Sequence, residues 1–263
     1  MTNILPAAYN RRALMQGTFI GAAGLMAAGL LLPTKASASL PSTIPGTGDF
    51  QVLNYALQLE DLEANLYAQA LLRLTTGGTT AQTSASVGTI TGLQLSSSQI
   101  DVQYITEFAP IEAAHRDFLK AALGSIAITT LKPSKYNFGL QTMTRSQVLD
   151  LVLEAEATGV QAYLGAIPYF KAKSPYLQTA AAIQGTEARH ATTLTLVRNI
   201  LSGMGIVSDP IAPVAPLRGD GGISPGASGY LSATPNSGTV YGADVTMSPD
   251  QVLARVGGFI RTT

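Results

Sequence analysis

The chain has two histidines, and each follows a glutamate by three residues: Glu112-x-x-His115 and Glu187-x-x-His190. Glutamate is scarce, with only seven in 263 residues, so the repeated pairing carries information. Spacing of three puts a carboxylate and an imidazole on one face of a helix, close enough to share an ion. The flanking residues say which face. Ala180, Ile183, Glu187, His190, Leu194, Val197 and Leu201 step by threes and fours, and so do Ile105, Phe108, Glu112, His115, Leu119 and Ala122. Both polar pairs therefore stand in an apolar seam. A carboxylate buried there alone would be costly, and a metal ion is the simplest partner that satisfies both groups.

Composition narrows the chemistry further. The chain has no Cys, which removes disulfide frameworks, thiolate zinc sites, iron–sulfur clusters and cysteine nucleophiles together. Lys+Arg and Asp+Glu are equal at 16 each and charged residues make up only 12%, so the basic footprint of a nucleic-acid binder is missing. Whatever chemistry occurs is the work of carboxylates.

Residues 1–38 read as an export signal. Arg11 and Arg12 form a charged opening, Ala13 to Leu32 is uncharged and Gly/Ala-rich, and Ala36-Ser37-Ala38 offers a small-x-small cleavage site. The paired arginines resemble a twin-arginine signal, although Asn10 stands where Ser or Thr is usual. An ordinary secretion signal, or an uncleaved 20-residue anchor, is the other reading. Cleavage would remove Arg11, Arg12 and Lys35 and no acid, leaving a slightly acidic mature chain with no further membrane segment. The expected location is the periplasm or the extracellular space.

The remainder reads as all-α. Segment 49–74 is apolar at helical spacing, with Gln51, Asn54, Gln58, Asp61 and Asn65 on one narrow stripe. A Thr/Ser/Gly linker from 75 to 98 precedes a helix over 98–123, which Pro110 should kink and Gly124 should stop. A third helix opens at the capping box Thr144-x-x-Gln147 and runs to about Lys171. A fourth opens at Ser174-Pro175 and ends at Gly203. Residues 39–203 thus form a four-helix unit. Residues 204–263 are a Gly/Pro-rich tail in which Ser248-Pro249-Asp250-Gln251 starts one short helix.

The first and third helices align at a constant offset of 96. Val52-Leu53-Asn54 falls on Val148-Leu149-Asp150, Glu60 on Glu156 and Tyr67 on Tyr163. Glu156 lies on the apolar face of its helix, whereas Glu154 joins the wet face with Asp150, Thr158 and Gln161. Glu63 points away from the polar stripe of its helix, so it is an alternate ligand or a group behind the ligands. Symmetry favours Glu60. Glu107, Arg116 and Asp117 read as surface groups or supports.

The order Glu60, Glu112-x-x-His115, Glu156, Glu187-x-x-His190 on four successive helices resembles the ferritin-like di-metal carboxylate proteins. The export signal, the Leu59-Glu60-x-Leu62-Glu63 run and the Ser248–Leu253 string look like the secreted branch that includes desiccation-related proteins. The resemblance implies a ferritin-like four-helix bundle with a long crossover. It also implies two metal ions bridged by Glu112 and Glu187, with Glu60 and Glu156 terminal and one histidine to each ion. Hard oxygen ligands with two imidazoles suit iron or manganese. The substrate implied is dioxygen or peroxide, with oxidation of Fe(II) or removal of peroxide as the reaction. Tyr67 and Tyr163 are candidate catalytic tyrosines on the same grounds.

Plainer readings stand beside these. The six residues could form a hydrogen-bonded layer without metal, although four carboxylates in one layer repel unless protonated or metallated. The two tyrosines could be core residues whose hydroxyls reach a nearby carboxylate. The whole chain could be a non-catalytic stress or desiccation protein on the same fold. A monomer or small homo-oligomer is expected rather than a cage, because the linker and the tail would crowd a shell.

Overall fold

The computed structural model describes residues 40–79, 88–129, 136–171, 173–207 and 247–260. The export segment, the tip of the linker and most of the tail lie outside the described residues. Four long helices make the body: α1 (Asp49–Leu74), α2 (Ile100–Leu123), α3 (Arg145–Ala166) and α4 (Leu177–Gly203). A short helix, α5 (Pro249–Val256), follows. The linker after α1 contributes one small departure from all-α structure, an antiparallel pair β1 (Gly77–Gly78) and β2 (Ile90–Thr91). Among the described residues no helix is long and apolar enough to cross a membrane.

Packing follows from the helix faces. α1 pairs with α2, α3 with α4, and the two pairs meet along α1–α3 and α2–α4. α2 and α3 therefore sit on a diagonal, and the connection from Gly124 to Thr144 is the long crossover. α1, apolar nearly all round, is the most enclosed helix, with Leu57, Leu66, Tyr67 and Ala70 fully buried. Each such Leu contributes roughly 1.5–3 kcal/mol by leaving water.

The polar stripe of α1 does not face solvent. The crossover covers it and uses it. Asn54 donates to the carbonyls of Pro45 and Ile126 and accepts from the Ile128 amide. Asp61 accepts from Lys120 Nζ at 3.1 Å and from the Tyr136 hydroxyl at 2.9 Å. These bonds satisfy groups that burial would otherwise penalise. At the open end of the crossover Arg145 grips the buried Asp101 with two bonds of 2.6 and 2.7 Å, tying the first turns of α2 and α3.

Helix ends match their local chemistry, with two exceptions. α3 stops at Ala166 and not near Lys171, the chain tightening into a 3-10 turn over Ile167–Tyr169 at Pro168, and the start of α4 is displaced. The Thr144–Gln147 and Ser248–Gln251 capping boxes are both formed. α2 continues through Pro110 to Gly124, whose φ of 55° suits glycine. α4, however, begins at Leu177 and not at Ser174-Pro175. A turn intervenes, in which Ser174 Oγ accepts from the Tyr176 amide and the Ser174 carbonyl from the Leu177 amide.

The C-terminal segment docks on α3. A Cβ at Gly165 would strike the Met247 carbonyl, so the missing side chain is what lets that segment lie against the helix. Asn137 donates its amide to the Phe259 carbonyl at 3.0 Å, and the Phe138 and Phe259 rings meet at 5.6 Å.

Candidate metal centre

Each long helix turns glutamate toward one central layer. α1 supplies Glu60 and Glu63, α2 Glu112 and His115, α3 Glu156, and α4 Glu187 and His190. All five glutamates are buried, four of them with no exposure at all. They gather in two overlapping groups, each of which could hold a metal ion: Glu60, Glu112, His115 and Glu187, then Glu112, Glu156 and His190. Glu112 belongs to both.

The nitrogens mark the centre of each group. His115 Nδ1 lies 3.0 Å from Glu112 Oε2, 3.3 Å from Glu60 Oε2 and 3.7 Å from Glu187 Oε1. His190 Nδ1 lies 2.6 Å from Glu112 Oε1 and 3.4 Å from Glu156 Oε1. The closest of these contacts is too misaligned to be a hydrogen bond: both His190 Nδ1 and Glu112 Oε1 are without a hydrogen-bond partner. So are Glu60 Oε2, Glu156 Oε2 and both oxygens of Glu187. Buried polar atoms are rarely left so. Within the layer His115 Nδ1 does bond Glu112 Oε2, but the other atoms converge unbonded, which is the geometry of ligands aimed at a common cation, so the residues present fit a metal.

The other side of each outer carboxylate is held. Tyr163 on α3 donates to Glu60 on α1 at 2.5 Å, and Tyr67 on α1 donates to Glu156 on α3. The Phe108 ring stacks on His190 with centroids 3.8 Å apart, which fixes the imidazole plane.

Electrostatics reflect crowding of like charge. Burial, opposed by the nearby His115 imidazole, pushes Glu60 up to about 7. Burial also lifts Glu63 and Glu187 well above the usual carboxylate range, with neighbouring carboxylates adding to it. Glu156 is raised for the same first reason. Burial acts on Glu112 as well, but the two histidines overcome it and hold this carboxyl low. Burial pulls the imidazoles down, yet the glutamates around them win, raising His115 to about 10 and His190 to about 9. In the absence of metal, protons on the histidines supply the positive charge the layer demands.

Of the other residues singled out in the sequence, Glu107 and Glu154 are exposed, and Arg116 pairs with Asp117 at 2.8 Å on the surface. Glu63 enters neither ligand group, but it is only 3% exposed and its Oε2 has no partner. Two contributors escaped sequence reasoning. One is the stacking role of Phe108, visible there only as a seam position. The other is Gly159, where a Cβ would fall 2.5 Å from Glu187 Oε2 and 3.2 Å from Glu63 Oε1. A glycine in mid-helix three residues after Glu156 was the available signal, because glycine there disfavours the helix by about 1 kcal/mol against alanine.

The family model of the ferritin-like domain matches residues 48–199, the span from the start of α1 to near the end of α4. The chain belongs to the ferritin-like family. No curated protein matches it. Membership agrees with the helix order and the diagonal crossover, and it is consistent with a metal-binding role for the carboxylate and histidine layer.

Proposed function

We propose that this ferritin-like protein is exported, belongs with the secreted desiccation-related branch, and carries two iron or manganese ions that react with dioxygen or peroxide. The supporting observation is that Glu60 Oε2, Glu112 Oε1, Glu156 Oε2, both oxygens of Glu187 and His190 Nδ1 are buried without a hydrogen-bond partner in residues that gather into two possible ligand groups. One ion would lie among Glu60, Glu112, His115 and Glu187, the other among Glu112, Glu156 and His190. Glu112 is common to both groups, and Glu187 would offer the first ion a carboxylate with neither oxygen engaged in a hydrogen bond. Four ionised carboxylates balance two divalent ions, and oxygen with imidazole nitrogen favours iron or manganese over softer metals.

Bound ions would supply one-electron redox chemistry: two electrons and two protons convert one hydrogen peroxide to two waters. The chain does the positioning. Tyr67 and Tyr163 hold the outer carboxylates, Phe108 holds His190, and the apolar packing keeps bulk water from the layer. The paired arginines and small-x-small site near the N-terminus support export to the periplasm or beyond. A segment docked over α3 supports a monomer or small oligomer, since it covers surface that a shell would use.

Metal analysis of protein purified without chelator tests the reading, reported per chain and alongside E112A/H115A. About two iron or manganese ions per chain, reduced to one or none in the variant with the helices retained by circular dichroism, supports it. No metal after anaerobic incubation with Fe(II) and Mn(II) overturns it in favour of a hydrogen-bonded layer in a non-catalytic stress protein.

A further inference from the structure

A narrow cavity open to solvent lies between α1, α3 and the docked C-terminal segment. Its inner end is formed by Glu63 and Gly159, its walls by Leu62, Leu66, Phe138 and Phe259, and its rim includes the exposed Arg255 and Glu154. Arg255 is tethered at 3.3 Å to both Thr158 and Gln161 of α3, which keeps the rim formed. Glu187 Oε2 lies 2.5 Å from where a Cβ of Gly159 would be, so the missing side chain leaves space between a residue of the cavity wall and a carboxylate of the centre.

Size and chemistry restrict what such a space can take. The centre of a water-sized molecule has about 30 Å3 in which to move, where one such molecule needs roughly 10–15 Å3. That space suits a triatomic or tetratomic species. A hydrated divalent ion would have to shed its water against apolar walls, which is unfavourable, and Arg255 at the mouth offsets the attraction of Glu154. A neutral molecule meets no such penalty. Glu63 lines the inner end and its shut-in Oε2 has no partner, so a turn of this carboxyl would let it accept a hydrogen bond from a small O–H donor.

We propose that this cavity is the passage by which hydrogen peroxide reaches the centre, with Glu63 receiving it and Gly159 leaving the way to Glu187 open. The inference rests on the redox reading above and specifies the small oxidant and its path. Glu63 then meets the incoming molecule directly, at the end of the passage and beside the ligands.

The test narrows the passage in one variant and widens it in another. Ala155 lines the cavity, and A155F should lower the second-order rate with peroxide at least about tenfold. Metal per chain and the rate of Mn(II) loading should not change. F259A removes a wall from the C-terminal segment and should shrink discrimination against tert-butyl hydroperoxide by about tenfold or more. Xenon under pressure, read by 129Xe NMR on metal-free protein, should bind in the wild type and be lost in A155F. Unchanged peroxide rates in both variants at full metal content overturn the proposal. Slowed Mn(II) loading in A155F does so too, by making the passage a cation route. A loaded wild type inert to peroxide sinks the redox reading, while xenon bound beside Glu63 still supports a passage of this size. Absence of xenon from the wild type overturns the passage itself.

Discussion

Tyr163 on α3 gives its hydroxyl to Glu60 on α1 at 2.5 Å, and the relation is returned, because Tyr67 on α1 gives its hydroxyl to Glu156 on α3. Each tyrosine lies seven residues, two helical turns, beyond the glutamate of its own helix. It serves the glutamate of the other helix because α1 and α3 are neighbours in the bundle. The constant offset of 96 between the helices thus appears in space as an approximate twofold relation across the layer. A carboxylate held from one side presents its second oxygen in a fixed direction, and for Glu60 and Glu156 that oxygen is Oε2, which has no partner.

Removing the Tyr163 hydroxyl tests what this support contributes. Y163F should leave the fold intact, since the ring stays in an apolar setting, while freeing the Glu60 carboxylate to rotate. Loss of an outer support of this type lowers metal affinity by about 10–100-fold. Competition titration with a chelator reads the change, and Y67F should act alike through Glu156. Affinity unchanged in both variants would reduce the tyrosines to core packing.

Protonation and metal binding should oppose one another. His115 and His190 titrate at about 10 and about 9 in the folded metal-free chain, above the ordinary histidine value of 6.5. Glu60 titrates at about 7, above 4.5. A folded-state pKa above the unfolded one gives stability that is complete below the unfolded value and lost as pH rises through the folded value. From Glu60 this loss falls between about pH 4.5 and 7, and from the histidines between about 6.5 and 10. Glu112 runs the other way, gaining as its carboxylate ionises. The metal-free protein should therefore lose Tm from pH 5 to 9. Metal binding displaces these protons, so the gap between loaded and metal-free Tm should widen over the same range. Thermal melts with Mn(II) and with chelator measure both, and a gap that narrows with pH would contradict the assignment of the ligands.

Gly159 separates stability from function. A Cβ at this position would lie 2.5 Å from Glu187 Oε2, the far end of a side chain that can swing aside. G159A should hold or raise the stability of the metal-free protein, by up to about 1 kcal/mol from helix propensity alone. Metal affinity should fall at least about tenfold as Glu187 is displaced. Denaturant melts and metal titration on the same sample give both numbers. A variant that binds metal as tightly as wild type would show that Glu187 needs no clearance at Gly159.

Legibility in the sequence followed the strength of each physical constraint. The seam positions of Glu112, His115, Glu187 and His190 were readable because charge in an apolar period needs a reason. α1 was placed residue for residue, because its apolar period is unbroken from Asp49 to Leu74. Asp61 and Asn54 read only as a polar stripe, since their partners Tyr136, Ile126 and Ile128 arrive from a crossover whose path no periodicity encodes. The turn before α4 was misread because Ser-Pro is an equally good opening for a turn and for a helix. Glu63 and Gly159 acquire meaning only when α1 and α3 are laid side by side, a tertiary fact that neither segment carries alone.

The Asp101–Arg145 pair should matter to the fold and not to the centre. Asp101 is fully buried, and Arg145 is the guanidinium that neutralises it with two short bonds. R145A leaves that charge unpaired in the interior, which destabilises by about 3–5 kcal/mol. Asp101 lies eleven residues before Glu112, three turns along α2, so the ligand layer is not touched directly. The folded fraction of R145A at low temperature should bind as much metal per chain as wild type, while its denaturation midpoint falls. Loss of metal from protein that is still folded would mean that the first turns of α2 and α3 set the spacing of the ligands, and that this pair acts on the centre through the helices.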